Sequence, residues 1–228
     1  MKILVIGEPV HCAECRQKLG VHEYTEINRH TDAENRLEGH DLIIDFLIDG
    51  QPEFFQAYSL KPLTVLLNTC RISLAALARS VHDPLKCRVF GFNGLPTMFR
   101  RQVLEISLLK KDDAQAVSDL CRQLKTEFLL VDDRVGLVTP RVVCMIINEA
   151  YYTVQEGTAT REDIDLAMKL GTNYPFGPFE WCEKIGLKNV FELLQAIYED
   201  THDERYKISA LMKREYLGMG ERATGAKG

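Results

Sequence analysis

The sequence predicts a doubly wound, mostly parallel α/β sheet followed by an all-helical domain, and three observations carry that prediction. Short β-branched runs alternate with helix-like segments as far as Val131. The first run ends in a glycine, Gly7, and the second ends near an acid, Glu26. From Thr139 onward the apolar residues recur at helical spacing instead.

Strands are expected over residues 3–6, 23–27, 42–48, 63–67, 87–90, 103–107 and 128–131, each rich in Val, Ile, Leu or Phe. Residues 73–81 and 112–125 have helical patterns and lie between strands, so neighbouring strands pair in parallel with helices on the faces. In the second half Pro140 occupies a first helical turn, where its missing N–H costs nothing. Val143, Ile146, Ile147, Ala150, Tyr151 and Val154 then follow one helix face to a stop at Gly157. Thr160 with Asp163 reads as an N-cap, opening a helix through Ile164, Ala167, Met168 and Leu170 to Gly171. Residues 173–178, with two prolines and a glycine, are a turn, and residues 179–185 and 189–198 are further helices. The expected domains are 1–134 and 135–217, with 218–228 a small, polar, glycine-rich tail.

Composition narrows the function. The chain has 228 residues, with 33 acidic against 28 basic side chains and a net charge of −5, which is no global footprint for nucleic acid. No apolar run approaches the roughly 20 residues needed to span a bilayer. A strand begins at once after Met1, with no secretory pattern, and seven scattered cysteines are an odd number; both lead to the expectation of a cytoplasmic protein with reduced thiols.

A strand into Gly7, a helix, and a second strand with Glu26 about 20 residues on are the layout of a Rossmann-like nucleotide unit. In G-x-G-x-x-G the first glycine turns the chain, the second admits the pyrophosphate and the third lets helix and strand pack closely. Here the run is Gly7-Glu-Pro9-Val-His-Cys12: only the first glycine stands, Pro9 removes an N–H, and Glu8 adds negative charge. Glu26 is placed either to bond a ribose hydroxyl or simply to face water. Cys12 and Cys15 lack the second pair that zinc requires, so two helix thiols facing the core is the stronger reading and a disulfide-redox role the weaker.

Several motifs in the second half occur in one order: Ile147-Asn-Glu-Ala150, Glu156-Gly157, Glu162-Asp-Ile-Asp165, Ala167-Met168, Gly171-Thr-Asn-Tyr-Pro175 and Gly177-Pro-Phe-Glu180. This pattern resembles the C-terminal domain of the 3-hydroxyacyl-CoA dehydrogenases. The first half is similar to that family's NAD-binding domain through Asn68-Thr-Cys70, Arg88-Val-Phe-Gly91 and Val103-Leu-Glu105. The resemblance implies a Rossmann-like domain, a helical dimerisation domain, NAD as cofactor, and oxidation of a 3-hydroxyacyl-CoA to the 3-ketoacyl-CoA.

In the family a His takes the proton of the 3-hydroxyl, a Glu holds that His, and a Ser and an Asn bond the reacting oxygens. Carried over position by position, the base is Asn93, the Glu is Glu105, twelve residues on, the Ser is Cys70 and the Asn is Pro140. Only Glu105 keeps its residue type, and an amide at position 93 accepts no proton near neutral pH. Asp49 stands where the family has a cofactor-side Glu, as a remnant contact or a strand-end cap. The family's long helical hairpin, which contacts coenzyme A, is reduced to residues 28–38. These departures weigh against NAD and against CoA docking. Two functions follow: a relative with reduced or lost activity that works as a homodimer or in a mixed dimer with a homologue, or an oxidoreductase acting on a 3-hydroxyacyl-CoA or other 3-hydroxy acid through an altered site.

Overall fold

The structure is a computed structural model that describes residues 1–225, with side chains through Met219. It divides into two compact units, Met1–Val138 and Thr139–Gly228.

The first unit carries β1 (Lys2–Ile6), β2 (Glu23–Ile27), β3 (Leu42–Asp45), β4 (Thr64–Asn68), β5 (Arg88–Phe92), β6 (Val103–Leu108) and β7 (Glu127–Val131). They form one sheet in the order β2-β1-β3-β4-β5-β6-β7. Every neighbouring pair is parallel except β5 with β6. Its helices are α1 (Pro9–Leu19), α2 (His30–Ala33), α3 (Phe55–Ser59), α4 (Leu74–Arg79) and α5 (Ala114–Gln123). Alternation along the strands feeds two cores. Ile3, Val5, Leu42, Ile44 and Phe90 pack with Cys12, Cys15 and Leu19 of α1 and Val117 and Leu120 of α5. Leu4, Ile6, Ile43, Val65 and Val89 pack on the opposite face with Phe55 and Tyr58 of α3 and Leu74 and Leu77 of α4. Strands buried on both faces and covered by helices on each make the doubly wound fold that the alternating runs predict.

The sequence overshoots at β3, which ends at Asp45 rather than residue 48. The Asp45 carboxylate accepts a hydrogen bond from the Leu47 N–H at 2.8 Å, and an aspartate that bonds its own backbone two residues on turns the chain out of the sheet. That fully buried carboxylate also accepts from Tyr58 Oη and meets His30 Nε2, each at 2.8 Å. His30 Nδ1 contacts Gln51 Oε1 at 2.7 Å, and the ring stacks on Phe54 at 4.1 Å. Between β2 and β3 the chain therefore holds one short helix, α2, pinned by its first residue.

The second unit comprises α6 (Thr139–Gln155), α7 (Arg161–Thr172), α8 (Pro178–Ile185), α9 (Leu187–Thr201) and α10 (Ala210–Gly225). The tail expected from residue 218 is helical as far as Gly225, where Glu221, Arg222 and Ala223 are good helix formers, and residues 226–228 lie outside the described residues. The glycine-proline turn of this unit has a steric cause. Asp165 on α7 accepts from the first free amides of α8, Phe179 N at 2.8 Å and Glu180 N at 3.2 Å. A Cβ on Gly177 would stand 2.3 Å from that carboxylate. Glu180 bonds back to Gly177 N at 3.0 Å and pairs with Lys169. Asn148 closes the unit by bonding Lys207 O and Ser209 N across α6.

Two measurements test these anchors. Gly177→Ala forces Asp165 off the α8 terminus and costs about 2 kcal/mol in urea unfolding, from overpacking and a lost cap. For His30, burial lowers the pKa, but the hydrogen bond and charge of Asp45 with the Gln51 contact outweigh it, so the folded value lies above the ordinary one. Its stabilisation is then full below about pH 6.5 and is lost as the pH rises through the raised value. The stability gap between the wild type and His30→Gln accordingly narrows with rising pH; a gap that widens contradicts the sign.

Candidate active site

In open α/β sheets ligands bind outside the carboxyl ends of the strands, where the strand order reverses. Here the reversal falls between β1 and β3, and the residues carried over from the family gather along the same edge. Asn68, the last residue of β4, is buried and spans three strand ends. Its Nδ2 donates to Phe46 O at 3.1 Å, and its Oδ1 accepts from Cys70 N at 3.3 Å and Gly94 N at 3.1 Å. Cys70 and Asn93 are both buried, and the Cys70 thiol donates to Asn93 Oδ1 at 3.4 Å. The same oxygen accepts from Leu95 N at 3.3 Å. The serine and histidine positions are thus together, bonded to each other and to their own loop.

Burial raises the Cys70 pKa far above the usual thiol range; the charges of Asp49 and Glu105 push the same way, against the Gly94 and Leu95 amides. A nucleophilic thiolate needs the opposite environment. Arg71, the one basic neighbour in sequence, instead grips Asp49 through two bonds, Nε to Oδ2 at 3.0 Å and Nη2 to Oδ1 at 2.7 Å. Asp49 is therefore half of an ion pair rather than a strand-end cap. Glu105 on β6 precedes Ile106, which pairs with Phe92, so in the antiparallel register it lies one step on, at the level of Asn93. It is half-buried, and its Oε2 accepts from Val138 N at 3.1 Å. Pro140 belongs to the second unit, near the start of α6.

The loop after β1 is closed upon itself. Glu8 N donates to His11 Nδ1 at 3.1 Å, and Pro9 has no N–H to offer. A Cβ on Gly7 would meet His11 Cβ at 3.0 Å and Phe46 Cβ at 3.3 Å, so a larger residue presses on both where β1 meets the end of β3. Phe46 lies in a cluster: His11 stacks on it at 4.5 Å, and Phe92 and Phe99 meet it edge-on at 5.0 and 5.3 Å. Thr97, in the left-handed region at φ 71°, donates its N–H to Glu14 Oε1 of α1 at 2.7 Å and holds the Phe99 loop down.

An open cleft of about 460 Å³ lies outside that cluster, lined among others by Gly7, Pro9, Arg16, Glu26, Asp32 and Arg36. Glu26 pairs with Arg16, so it is neither free nor simply solvated. Cys12 touches this cleft, while Cys15 is fully buried; both thiols face the α1 core. The sequence alone did not reveal the aromatic cluster, Arg16 or His30. Each ring reads as ordinary core in sequence, and only the strand order brings Phe46, Phe92 and Phe99 to one point.

Comparisons with known proteins agree with this architecture. Residues 136–227 match the model of the 3-hydroxyacyl-CoA dehydrogenase C-terminal domain. The 3-hydroxyadipyl-CoA dehydrogenase of Escherichia coli K12 is 39% identical over 103 residues, 45% of this chain and 22% of that protein. The 3-hydroxybutyryl-CoA dehydrogenase of Clostridioides difficile is 32% identical over 150 residues, 64% of this chain and 53% of that protein. The chain thus covers a minor part of the first relative and about half of the second. The crystal structure of (S)-3-hydroxybutyryl-CoA dehydrogenase from Ralstonia eutropha has the same fold, with a TM-score of 0.68 over 96% of this chain and 94% of that one at 20% identity. The matched residues and the relatives lead to one conclusion: residues 136–227 form a 3-hydroxyacyl-CoA dehydrogenase C-terminal domain, in a chain that is similar to the dehydrogenases of that family and shares their fold.

Proposed function

We propose that this chain is a 3-hydroxyacyl-CoA dehydrogenase relative with reduced or lost dehydrogenase activity, which keeps the scaffold and works through binding and pairing. The observation that carries the reading is Asn93. Oxidising a secondary alcohol to a ketone requires a group that takes the hydroxyl proton as hydride leaves. An amide has no such capacity near neutral pH, and the Asn93 oxygen is already engaged by Cys70 and Leu95. Cys70 does not substitute as base, because burial keeps its thiol protonated. Glu105, the one kept residue type, favours the second reading of an oxidoreductase with an altered site, but it bonds Val138 N and has no histidine to orient.

The family implies NAD, which would supply the hydride acceptor. The loop residues do not fit its pyrophosphate: one amide is taken by His11, the next residue is proline, and Glu8 adds like charge. An acyl-CoA ligand loses the family's hairpin contacts, since only α2 stands between β2 and β3. Pairing is supported by α7, in which no residue is buried and Leu166 and Leu170 are 53% and 78% exposed. A second copy or a homologous chain would cover that apolar face. Seven free cysteines fit a reducing compartment, the cytoplasm, and no helix of the described residues is long and apolar enough to cross a membrane.

With NAD and 3-hydroxybutyryl-CoA, the purified protein turns over about 10²–10⁴ more slowly than an active family member, the loss expected from a missing general base. Turnover near the ordinary enzymatic level of roughly 10 s⁻¹ would sink the reading. In sedimentation velocity the wild type runs as a dimer, and Leu166→Glu combined with Leu170→Glu gives a monomer of unchanged helix content. A wild type that stays monomeric and does not associate with an active homologue removes the pairing role.

A further inference from the structure

We propose that the outer rim of β7 is a self-association surface, on which a second copy of this chain lays its own β7 antiparallel and continues the sheet. The surface belongs to the first unit and is distinct from the α7 face, so it stands or falls apart from the proposed function.

A strand at the end of a sheet presents N–H and C=O groups with no neighbouring strand to take them, and proteins ordinarily protect it with charges, prolines, bulges or a covering loop. The sheet has two such ends, β2 and β7, and they are built differently. β2 reads Glu-Tyr-Thr-Glu-Ile: Glu23 and Glu26 are charged, Tyr24 is half-buried and Ile27 is buried. β7 reads Glu-Phe-Leu-Leu-Val, contains no proline, and pairs with β6 over its whole length without a bulge. Its one charged residue, Glu127, accepts from Gln102 Nε2 at 3.3 Å. Leu129 and Leu130 are 56% and 44% exposed. Consecutive strand residues point to opposite faces of a sheet, so β7 shows leucine to solvent on both faces as well as an open rim.

Charge selects the occupant and its direction. Exposed Lys125 stands just before the strand, and Asp132, Asp133 and Arg134 stand just after it, so one end is positive and the other, with two acids against one base, is negative. A parallel copy would set like charge beside like, whereas an antiparallel copy sets each positive end at the partner's negative end. Asp133 is held by the Leu74 and Ala75 amides at 2.8 Å each, which leaves exposed Asp132 as the carboxylate for the partner's lysine. Centred on Leu129, the pairing sets that leucine against its own copy on one face and Phe128 against Leu130, twice, on the other. Glu127 then opposes Val131, so the two glutamates do not meet. One strand thus supplies both halves of the complement, as an interface with two-fold symmetry requires.

The contact is small. A stable dimer buries roughly 1,200–2,000 Å² in total, more than a pair of five-residue strands supplies, so the association is reversible, with a Kd on the order of 0.1–1 mM. At micromolar concentration the α7 dimer is the assembly that forms, and the β7 contact joins copies only when they are crowded together.

The test uses the full chain carrying Leu166→Glu and Leu170→Glu, in which the β7 rim is the remaining surface. In sedimentation velocity this protein is a monomer near 10 µM and substantially a dimer near 1 mM. Lys125→Asp weakens that dimer about fivefold or more, and adding Asp132→Lys restores it. Lys125 lies at φ 51°, a conformation aspartate tolerates, and circular dichroism of the variant is unchanged. Leu129→Cys gives a disulfide dimer under diamide, because the seven native cysteines are buried and the two new thiols face each other. Leu130→Cys gives none, since its copy lies on the diagonal, about 7–8 Å away. A monomer at 1 mM overturns the proposal, as does a dimer that ignores Lys125→Asp, one that Asp132→Lys fails to rescue, or equal cross-linking through positions 129 and 130. A rim that fails leaves the α7 dimer and the proposed loss of activity untouched, and an α7 face that never pairs leaves this result unchanged.

Discussion

Asn68 is the residue on which the carboxyl edge of the sheet depends. One side-chain amide bonds the backbone after β3, the backbone after β4 and the backbone after β5. Each such bond contributes only about 1 kcal/mol net, but a buried backbone group left without a partner costs roughly 1–3 kcal/mol. The amide therefore sets the positions of Phe46, Cys70 and Gly94 together. From those positions follow the aromatic cluster, the thiol that reaches Asn93, and the loop that carries Phe99. An edge organised in this way satisfies the backbone amides of Cys70 and Gly94 with the protein's own side chain. A reactive edge holds some of them in reserve for a substrate.

The departures at this edge support one another. Pro9 deprives the loop of one amide, and His11 takes the amide before it. The same His11 ring stacks on Phe46, so the group that closes the loop also builds the aromatic cluster. The Cys70 thiol donates to the Asn93 amide oxygen, so these two residues satisfy each other. Asp49 keeps a carboxylate, and Arg71 neutralises it in place. Random loss of function leaves unmatched polar groups and voids, because nothing selects the partners. Here His11, Cys70, Asn93 and Asp49 each have a partner.

The sequence carried the fold well, because a doubly wound sheet is written in local signals. The runs at residues 3–6 and 63–67 are apolar on both faces, as strands of a sheet covered on both sides are. The helical unit was legible for a different reason: Gly177, Asp165 and Glu180 are held by one steric and hydrogen-bonded arrangement, so their spacing is fixed. The site was legible only as a set of positions. The family resemblance singled out Cys70, Asn93 and Glu105, but it gave no sign that Arg71 turns to Asp49 or Arg16 to Glu26. Those partners are 22 and 10 residues away in sequence, and the choice between them is made by packing. The three-residue overshoot at β3 has the same origin, a buried Asp45 whose hydrogen bonds with Tyr58 and Leu47 outcompete the apolar run.

A base restored at position 93 would therefore meet an environment that no longer serves it. An imidazole there must take the place of an amide oxygen that now satisfies Leu95 N and Cys70 Sγ, so the reversion strands those donors before it gains a substrate. Glu14, Asn68 and the Phe92–Phe99 contact hold the loop after β5 from different sides, so position 93 is one part of a connected piece of interior.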